Sequence, residues 1–167
     1  MKLNHLSDVL KVQLKDLYSA EQQLTKALPK MAHRATNSEL KSALANHLRE
    51  TVDHVGRLER IAEIMDVPLN GHTCKAMKGL IVESEEILDA DGDTAALDAG
   101  IIAAAQRVEH YEMAAYGTAR EFAELIGEKE VAGLLATTLD EEMQADRTLS
   151  QVATSTVNRR AAELTMS

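Results

Sequence analysis

Glutamates interrupt the apolar stripes of several helical segments. Glu21 lies in a stripe of leucines, Glu109 and Glu112 lie in a later apolar stripe, and Glu142 lies in a third. Residues three, four or seven apart share a helix face because each residue advances by about 100°. An unpaired buried carboxylate is costly, and several together repel one another. These positions therefore predict a core cluster that either holds protons or is neutralised by multivalent cations.

A further segment offers His47, Glu50 and His54 at positions i, i+3 and i+7. Both histidines flank the centre of the apolar stripe, whereas Glu50 is about 100° from it and belongs to its edge. Carboxylate and imidazole ligands together suit iron or manganese. The segment thus adds candidate ligands to those of the other three.

The spacing of the carboxylates has an internal symmetry. Glu21 and Glu50 are 29 residues apart, and Glu112 and Glu142 are 30 apart. Two helical hairpins that each contribute one carboxylate per helix are typical of di-iron carboxylate bundles. A single glutamate in an apolar stripe is most often an edge residue that reaches solvent. Matched spacing on four segments favours a dinuclear metal site for the whole set.

Five neighbouring side chains are less decisive. His54 and Asp146 are equally compatible with a ligand role and with a solvated helix face. His110 points away from Glu112 by helix arithmetic, so we expect it on the surface. Tyr18 and Tyr116 each lie one turn from a proposed ligand, which favours packing with the hydroxyl on a carboxylate over a redox role.

The candidate imidazoles of the site both come from one segment. No histidine follows position 110, so the last segment offers only Glu141, Glu142 and Asp146. We therefore expect one metal position with nitrogen and oxygen ligands and another with oxygen ligands only. Two such positions would fill with different affinities.

Helical periodicity extends along nearly the whole chain and predicts the elements that position these residues. Ser7 is a plausible N-cap, Pro29 predicts a kink, and Gly127 predicts a helix end. The two outer connections are short and the middle one is long. This order predicts an all-α, ferritin-like antiparallel four-helix bundle whose long crossover carries a short fifth helix. The predicted helices are 7–34, 39–65, 73–90 (the short one), 94–126 and 128 to beyond 149.

Composition supports one domain over residues 1–167, with a tail that frays from about 158. Aromatic residues are 2% of the chain and there are only 2 prolines and 8 glycines, which disfavours a β-rich fold. The net charge of −9 disfavours nucleic acid and membrane partners. Cys74 is the only cysteine and the N-terminus has no secretory signal pattern, so we expect a cytoplasmic protein.

Several sequence blocks, spread from about residue 6 to 160, resemble the YciE/YciF family of bacterial stress-associated proteins. The blocks are DLYSAEQQLTKAL, HLRET followed by RLE, CKAMKGLI, AAQRVEHYEMAAYGT and LDEEMQAD. The resemblance implies a ferritin-like fold with four main helices and a small extra one, a dinuclear metal site within the bundle, and a dimer.

Matching the family blocks residue by residue implies a specific ligand set. The positions are Glu21, His47, Glu50, Glu109, Glu112 and Glu142. Glu50 is retained on the resemblance, despite its edge position. Ferritin-like enzymes usually have Glu-x-x-His in the second and fourth helices. Here Asp53 stands three residues after Glu50, and the fourth helix has no histidine.

Three functions remain compatible with these residues. The first is a redox enzyme whose two iron ions, or manganese, react with dioxygen or peroxide and oxidise Fe(II). The second is a non-catalytic metal-binding or structural protein, and the third is an interaction protein with protonated buried acids. The sequence contains no nucleophilic triad, phosphate loop or zinc motif, which disfavours a hydrolase.

The predicted helix 94–126 is apolar on more than its core face. Small residues such as Ala103, Ala104, Ala114 and Ala115 extend its apolar surface. A helix that is apolar all round needs a second surface against which to bury. We therefore expect a symmetric homodimer.

Overall fold

Four long helices and a short one dominate the computed structural model, which describes residues 2–163. The two hairpins α1/α2 and α4/α5 pack side by side as a four-helix bundle, which confirms the predicted fold. Within residues 2–163, no helix is both long and apolar enough to cross a membrane. The elements are α1 (Leu6–Arg34), α2 (Ser38–Met65), α3 (Lys75–Leu88), α4 (Thr94–Leu125), α5 (Lys129–Val152), a π-helical turn (Ala153–Val157) and α6 (Asn158–Glu163).

The connection between α1 and α2 is fixed by hydrogen bonds at both of its sides. The Asn37 side chain caps α2 by accepting hydrogen bonds from the backbone N–H groups of Glu39 and Leu40. Asp98 of α4 accepts hydrogen bonds from the backbone N–H groups of Thr36 and Asn37, at 2.8 and 2.9 Å. The first hairpin is thereby attached to the second.

The connection between α4 and α5 reverses the chain at Gly127, whose φ of +85° lies in the left-handed region. The backbone N–H groups of Gly127 and Glu128 donate to the carbonyls of Glu124 and Ala123, at 3.1 and 2.9 Å. Glycine adopts this conformation at little cost, which explains why α4 ends here. The predicted stop at Gly127 is confirmed.

The long crossover carries α3, which packs on the outside of the bundle against α1 and α4. Met77 and Ser84 are its buried residues. The predicted short helix on the outer surface is therefore confirmed. At the start of α1, the N-cap is His5 rather than Ser7, and the helix is continuous across Pro29.

The C-terminal region extends the chain beyond α5 as further helix. The π-helical turn and α6 continue the helical chain to Glu163. Val152, Ala153 and Val157 bury their side chains in the same apolar cluster as Leu149, and this contact holds the segment in place. The structure is helical over 158–163, residues 164–167 lie outside the described residues, and fraying from about 158 stays a prediction.

Two apolar clusters fill the bundle, one toward each end. Leu10, Leu14, Leu58 and Leu135 belong to one cluster. Leu24, Leu28, Leu44, Ile101 and Leu149 belong to the other. Along each of the four long helices, the candidate ligands fall between residues of the two clusters. The core therefore contains a central layer of ionisable side chains, called the polar layer below.

Candidate metal centre

Six buried ionisable residues form the polar layer, and every long helix contributes at least one. The exposed fraction of each is 5% or less. They face inward because each occupies a core position in the apolar periodicity of its helix. They are Glu21 from α1, His47 and His54 from α2, Glu109 and Glu112 from α4, and Glu142 from α5.

The potential ligand atoms converge in two groups that share one carboxylate. Within each group, the contributing nitrogen and oxygen atoms lie within 4.8 Å of one another. Glu142 belongs to both groups and therefore stands between two adjacent positions. The His47 group consists of His47, Glu109, Glu112 and Glu142, and the His54 group consists of Glu21, His54 and Glu142.

Most of the side-chain nitrogen and oxygen atoms of this layer lack hydrogen-bond partners. Within residues 2–163, ten buried side-chain nitrogen and oxygen atoms have none, and nine of them belong to the six residues of the polar layer. They include both oxygens of Glu112, both oxygens of Glu142 and both ring nitrogens of His47. A buried polar atom without a partner costs about 1–3 kcal/mol. So many converging lone pairs fit cations that would satisfy them together.

Electrostatics within the layer favour protonated histidines. Burial lowers the pKa of His47, but the nearby carboxylates of Glu109, Glu50 and Glu142 outweigh burial and raise it to about 9. Burial likewise lowers the pKa of His54, and Glu142 and Glu21 raise it to about 10. A cation at either position would compete with these protons.

The pKa values of the carboxyl groups shift in opposite directions. Burial, reinforced by the charges of Glu21 and Glu142, raises the pKa of Glu112 well above its ordinary value. Burial and Glu142 also raise the pKa of Glu109, against the opposing effect of His47. Burial opposes ionisation of Glu142, but its contacts with His54 and the charge of His47 leave its pKa lowered. Without a cation, protons on the imidazoles and on Glu112 and Glu109 limit the negative charge.

The His54 group is enclosed by ordered side chains. The Tyr116 hydroxyl donates to Glu21 Oε1 at 2.5 Å, and its ring meets the His54 ring edge-on at 6.3 Å. On the far side of His54, Nε2 lies 2.9 Å from Glu141 Oε2. Arg57 donates to the same Glu141 oxygen at 2.8 Å. These contacts fix both the imidazole and a carboxylate of the group.

The His47 group borders a cavity between α2 and α5. The cavity has a volume of about 100 Å³, which is room for several water molecules, and His47 and Glu109 are part of its lining. Glu50 also lines it, with 44% of its side chain exposed and Oε2 lying 3.5 Å from His47 Nδ1. Small molecules and ions can therefore approach this group from solvent.

The structure brings five of the six predicted ligands together and leaves Glu50 outside both groups. Helix arithmetic placed Glu50 on the stripe edge, and the structure agrees with that geometry. Asp146 also lies outside, where it accepts a hydrogen bond from Gln106 at 3.0 Å. The side chain of His110 is 65% exposed, as predicted. The tyrosine prediction holds as well, since the hydroxyls of Tyr116 and Tyr18 donate to glutamates.

His54 was left open by the sequence and lies in the centre of the layer. Each group contains one histidine, which disfavours the expected oxygen-only position. His47 and His54 are two helical turns apart, or about 10 Å along the helix axis, so they reach different groups from the same face. The i, i+7 spacing of the two histidines was the sequence signal that could have placed both of them in the polar layer.

Comparisons with known proteins agree with this architecture. Protein YciF of Escherichia coli (strain K12) is 40% identical over 162 residues, which is 96% of this chain and 98% of YciF. The crystal structure of the E. coli stress protein YciF superposes with a TM-score of 0.90, covering 93% of this chain and 99% of that one. A protein from Xanthomonas campestris pv. campestris, 20% identical, shares the fold with a TM-score of 0.76 over 96% of this chain and 99% of that one.

A second close structure is described as YcfI, a putative structural protein from Rhodopseudomonas palustris. It is 42% identical, with a TM-score of 0.87 over 91% of this chain and 97% of that one. The family described as "Domain of unknown function (DUF892)" matches residues 5–162. With this match across nearly its whole length, and with YciF as a near relative, the chain belongs to the DUF892 family.

Proposed function

We propose that this protein binds two metal ions in the polar layer and that the ions are iron. The observation that carries the proposal is the set of nine buried, unpartnered nitrogen and oxygen atoms on six converging side chains. Each group offers one imidazole and at least two carboxylates, a donor set that suits iron and also accepts manganese. Glu142 would be shared by the two ions.

The oxidation of Fe(II) by dioxygen or peroxide is the activity that we propose for this centre. Two bound iron ions would supply the electrons for reduction of the oxidant. The chain contributes the ligand geometry, and the cavity beside His47 and Glu109 admits a small oxidant from solvent. The apolar clusters on either side keep bulk water away from the layer. Such an activity suits the stress proteins with which the chain shares its family.

Anaerobic loading with Fe(II) tests both parts of the proposal. Bound iron is counted after removal of excess metal, and we expect two ions per chain. Dioxygen or peroxide is then added to separate samples while near-ultraviolet absorbance is followed. Binding of two ions with rapid Fe(III) formation supports an oxidase or peroxidase activity. Absence of bound metal overturns the proposal and favours an interaction protein with protonated acids.

A metal-bound protein without turnover is the alternative function. The description of the R. palustris relative as a putative structural protein favours it for that relative. In this chain, the ions would then join all four long helices and stabilise the bundle. Two bound ions, a large rise in melting temperature and no faster Fe(II) oxidation than in buffer would identify this alternative.

We also infer that the protein is a cytoplasmic homodimer. Ala103 and Ala114 are exposed on α4 and would face a second copy, whereas Ala104 is buried within the chain. The single, buried Cys74 needs no oxidising compartment. Sedimentation equilibrium should give twice the chain mass. A monomer mass at all concentrations would overturn the dimer.

A further inference from the structure

The two ring nitrogens of His54 differ in their surroundings. Nε2 has a well-directed hydrogen-bond contact, 2.9 Å from Glu141 Oε2. Nδ1 lies 3.0 Å from Glu142 Oε1 and 3.3 Å from Glu21 Oε1, yet it makes no hydrogen bond. Once a cation has displaced the proton of Nδ1, the lone pair of Nδ1 can point between the two carboxylates of the His54 group, while Nε2 keeps its proton toward Glu141.

Glu141 is itself held from the other side. Arg57 contacts both of its oxygens, with Nη1 2.8 Å from Oε2 and Nη2 3.4 Å from Oε1. Arg57 Nη1 also donates to Thr138 Oγ1 at 2.5 Å. The contacts thus run from Thr138 of α5 to Arg57 of α2, from Arg57 to Glu141 of α5, and from Glu141 to His54 of α2. These contacts hold the imidazole through Nε2, whereas the carboxylates of the His54 group lie next to Nδ1.

On this basis we propose that Glu141, clamped by Arg57, is a positioning residue that holds His54 as an Nδ1 ligand. The proposal rests on the proposed metal centre and deepens it. A carboxylate on the second ring nitrogen orients a metal-bound histidine and strengthens it as a donor. Loss of such a partner typically weakens metal binding by about 10–100-fold. The effect should be confined to the ion of the His54 group.

The chain offers a matched control pair between the same two helices. Arg60 of α2 and Glu130 of α5 form an ion pair at 2.8 Å, and their side chains are 61% and 59% exposed. Neither residue contacts the polar layer. Glu130→Gln removes the same charge from the same helix as Glu141→Gln, so any effect of net charge appears in both variants.

Calorimetric titration with Zn(II) measures the affinity of each position in the full-length protein. Wild type and Glu130→Gln should bind two ions alike. Glu141→Gln and Arg57→Met should bind one ion normally and the other about 10–100-fold more weakly. Far-ultraviolet circular dichroism verifies that each variant is folded. Two unchanged affinities in folded Glu141→Gln overturn the positioning role, whereas a wild type that binds no metal overturns the metal centre itself.

Nitrogen NMR of the histidine rings provides a readout that a general loss of stability does not change. In the Zn(II)-loaded wild type, His54 should show a metal-bound Nδ1 and a protonated Nε2, with assignment from a His54→Gln sample. Glu141→Gln should move the Nε2–H signal of His54 and leave His47 unchanged. A metal-bound Nε2 on His54 in the wild type would contradict the proposal.

Discussion

The two histidines of α2 belong to different groups of the proposed metal centre and are supported in different ways. His54 is fixed through Glu141 and Arg57, and Tyr116 covers it. His47 has Glu50 behind it, at 3.5 Å and 44% exposed, next to a cavity. Two histidines of one helix are therefore held to different degrees by the residues behind them. We expect the ion of the His54 group to be retained and that of the His47 group to exchange.

The largest loss of bound metal should come from replacing Glu142, the carboxylate that both groups share. Glu142→Ala removes a ligand from both groups, so we expect it to reduce bound iron from two ions per chain toward none. Glu21→Ala affects only the His54 group and should leave one ion. The fold should survive both changes, because removing an acid from a crowded cluster relieves repulsion.

Metal content after Fe(II) loading and desalting measures this difference. Glu130→Ala, at an exposed ion pair on the same helix as Glu142, is the control and should retain both ions. Full occupancy in Glu142→Ala would refute the shared ligand. Equal losses in Glu142→Ala and Glu21→Ala would remove the distinction between the two groups.

The rate of metal removal should differ between the two sides by at least about tenfold, in line with the contribution of residues behind a ligand. A chelator added to the loaded protein should extract one ion quickly and the other slowly. The fast phase belongs to the His47 group, which the cavity exposes. It should disappear in His47→Ala, whereas His54→Ala should lose the slow phase. A single phase for both ions would contradict this prediction.

The buried glutamates of the polar layer could be predicted from the sequence, but the support behind His54 could not. Glu21, Glu109, Glu112 and Glu142 were recognisable because each interrupts an apolar stripe, and periodicity alone identifies such positions. Glu50 was retained on family resemblance, although periodicity placed it at the stripe edge, where the structure also has it.

The support behind His54 depends on how two helices are rotated against each other. Arg57 and Glu141 are 84 residues apart, and the side chain of each is partly buried, at 17% and 34% exposed. Their contact is set by the packing of α2 on α5, which helix periodicity does not specify. The same packing assigns His47 and His54 to separate groups, which disfavours the expected oxygen-only position.

The metal-free protein should lose stability as the pH rises. The folded-state pKa values of about 9 for His47 and about 10 for His54 exceed the unfolded value of about 6.5. Their stabilising contribution is therefore complete below about pH 6.5 and is lost as the pH passes through 9 to 10. The raised pKa of Glu112 acts in the same direction, because its neutral form is the one that the fold favours.

We expect the melting temperature of the metal-free protein to fall by several degrees between pH 6.5 and 9.5, since about 1 kcal/mol corresponds to about 2–4 °C at this chain length. In the metal-loaded protein the fall should vanish, because binding displaces these protons and strengthens with pH. His54→Gln should flatten the metal-free profile. A melting temperature that rises with pH without metal would contradict the protonated cluster.

The smallest effect should come from Glu50, and it tests whether the two histidines are supported unequally. Glu50→Gln removes a charge that is half in solvent and makes no hydrogen bond to His47. We therefore expect the metal affinity of the His47 group to change by less than about threefold. This is well below the usual cost of losing a partner behind a ligand. Glu141→Gln should weaken the His54 group far more. If Glu50→Gln instead loses a whole ion, Glu50 moves into the centre when metal binds and is the ligand that the family resemblance implied. In that case His47 is supported as well as His54, and the two groups should not differ in their rates of metal exchange.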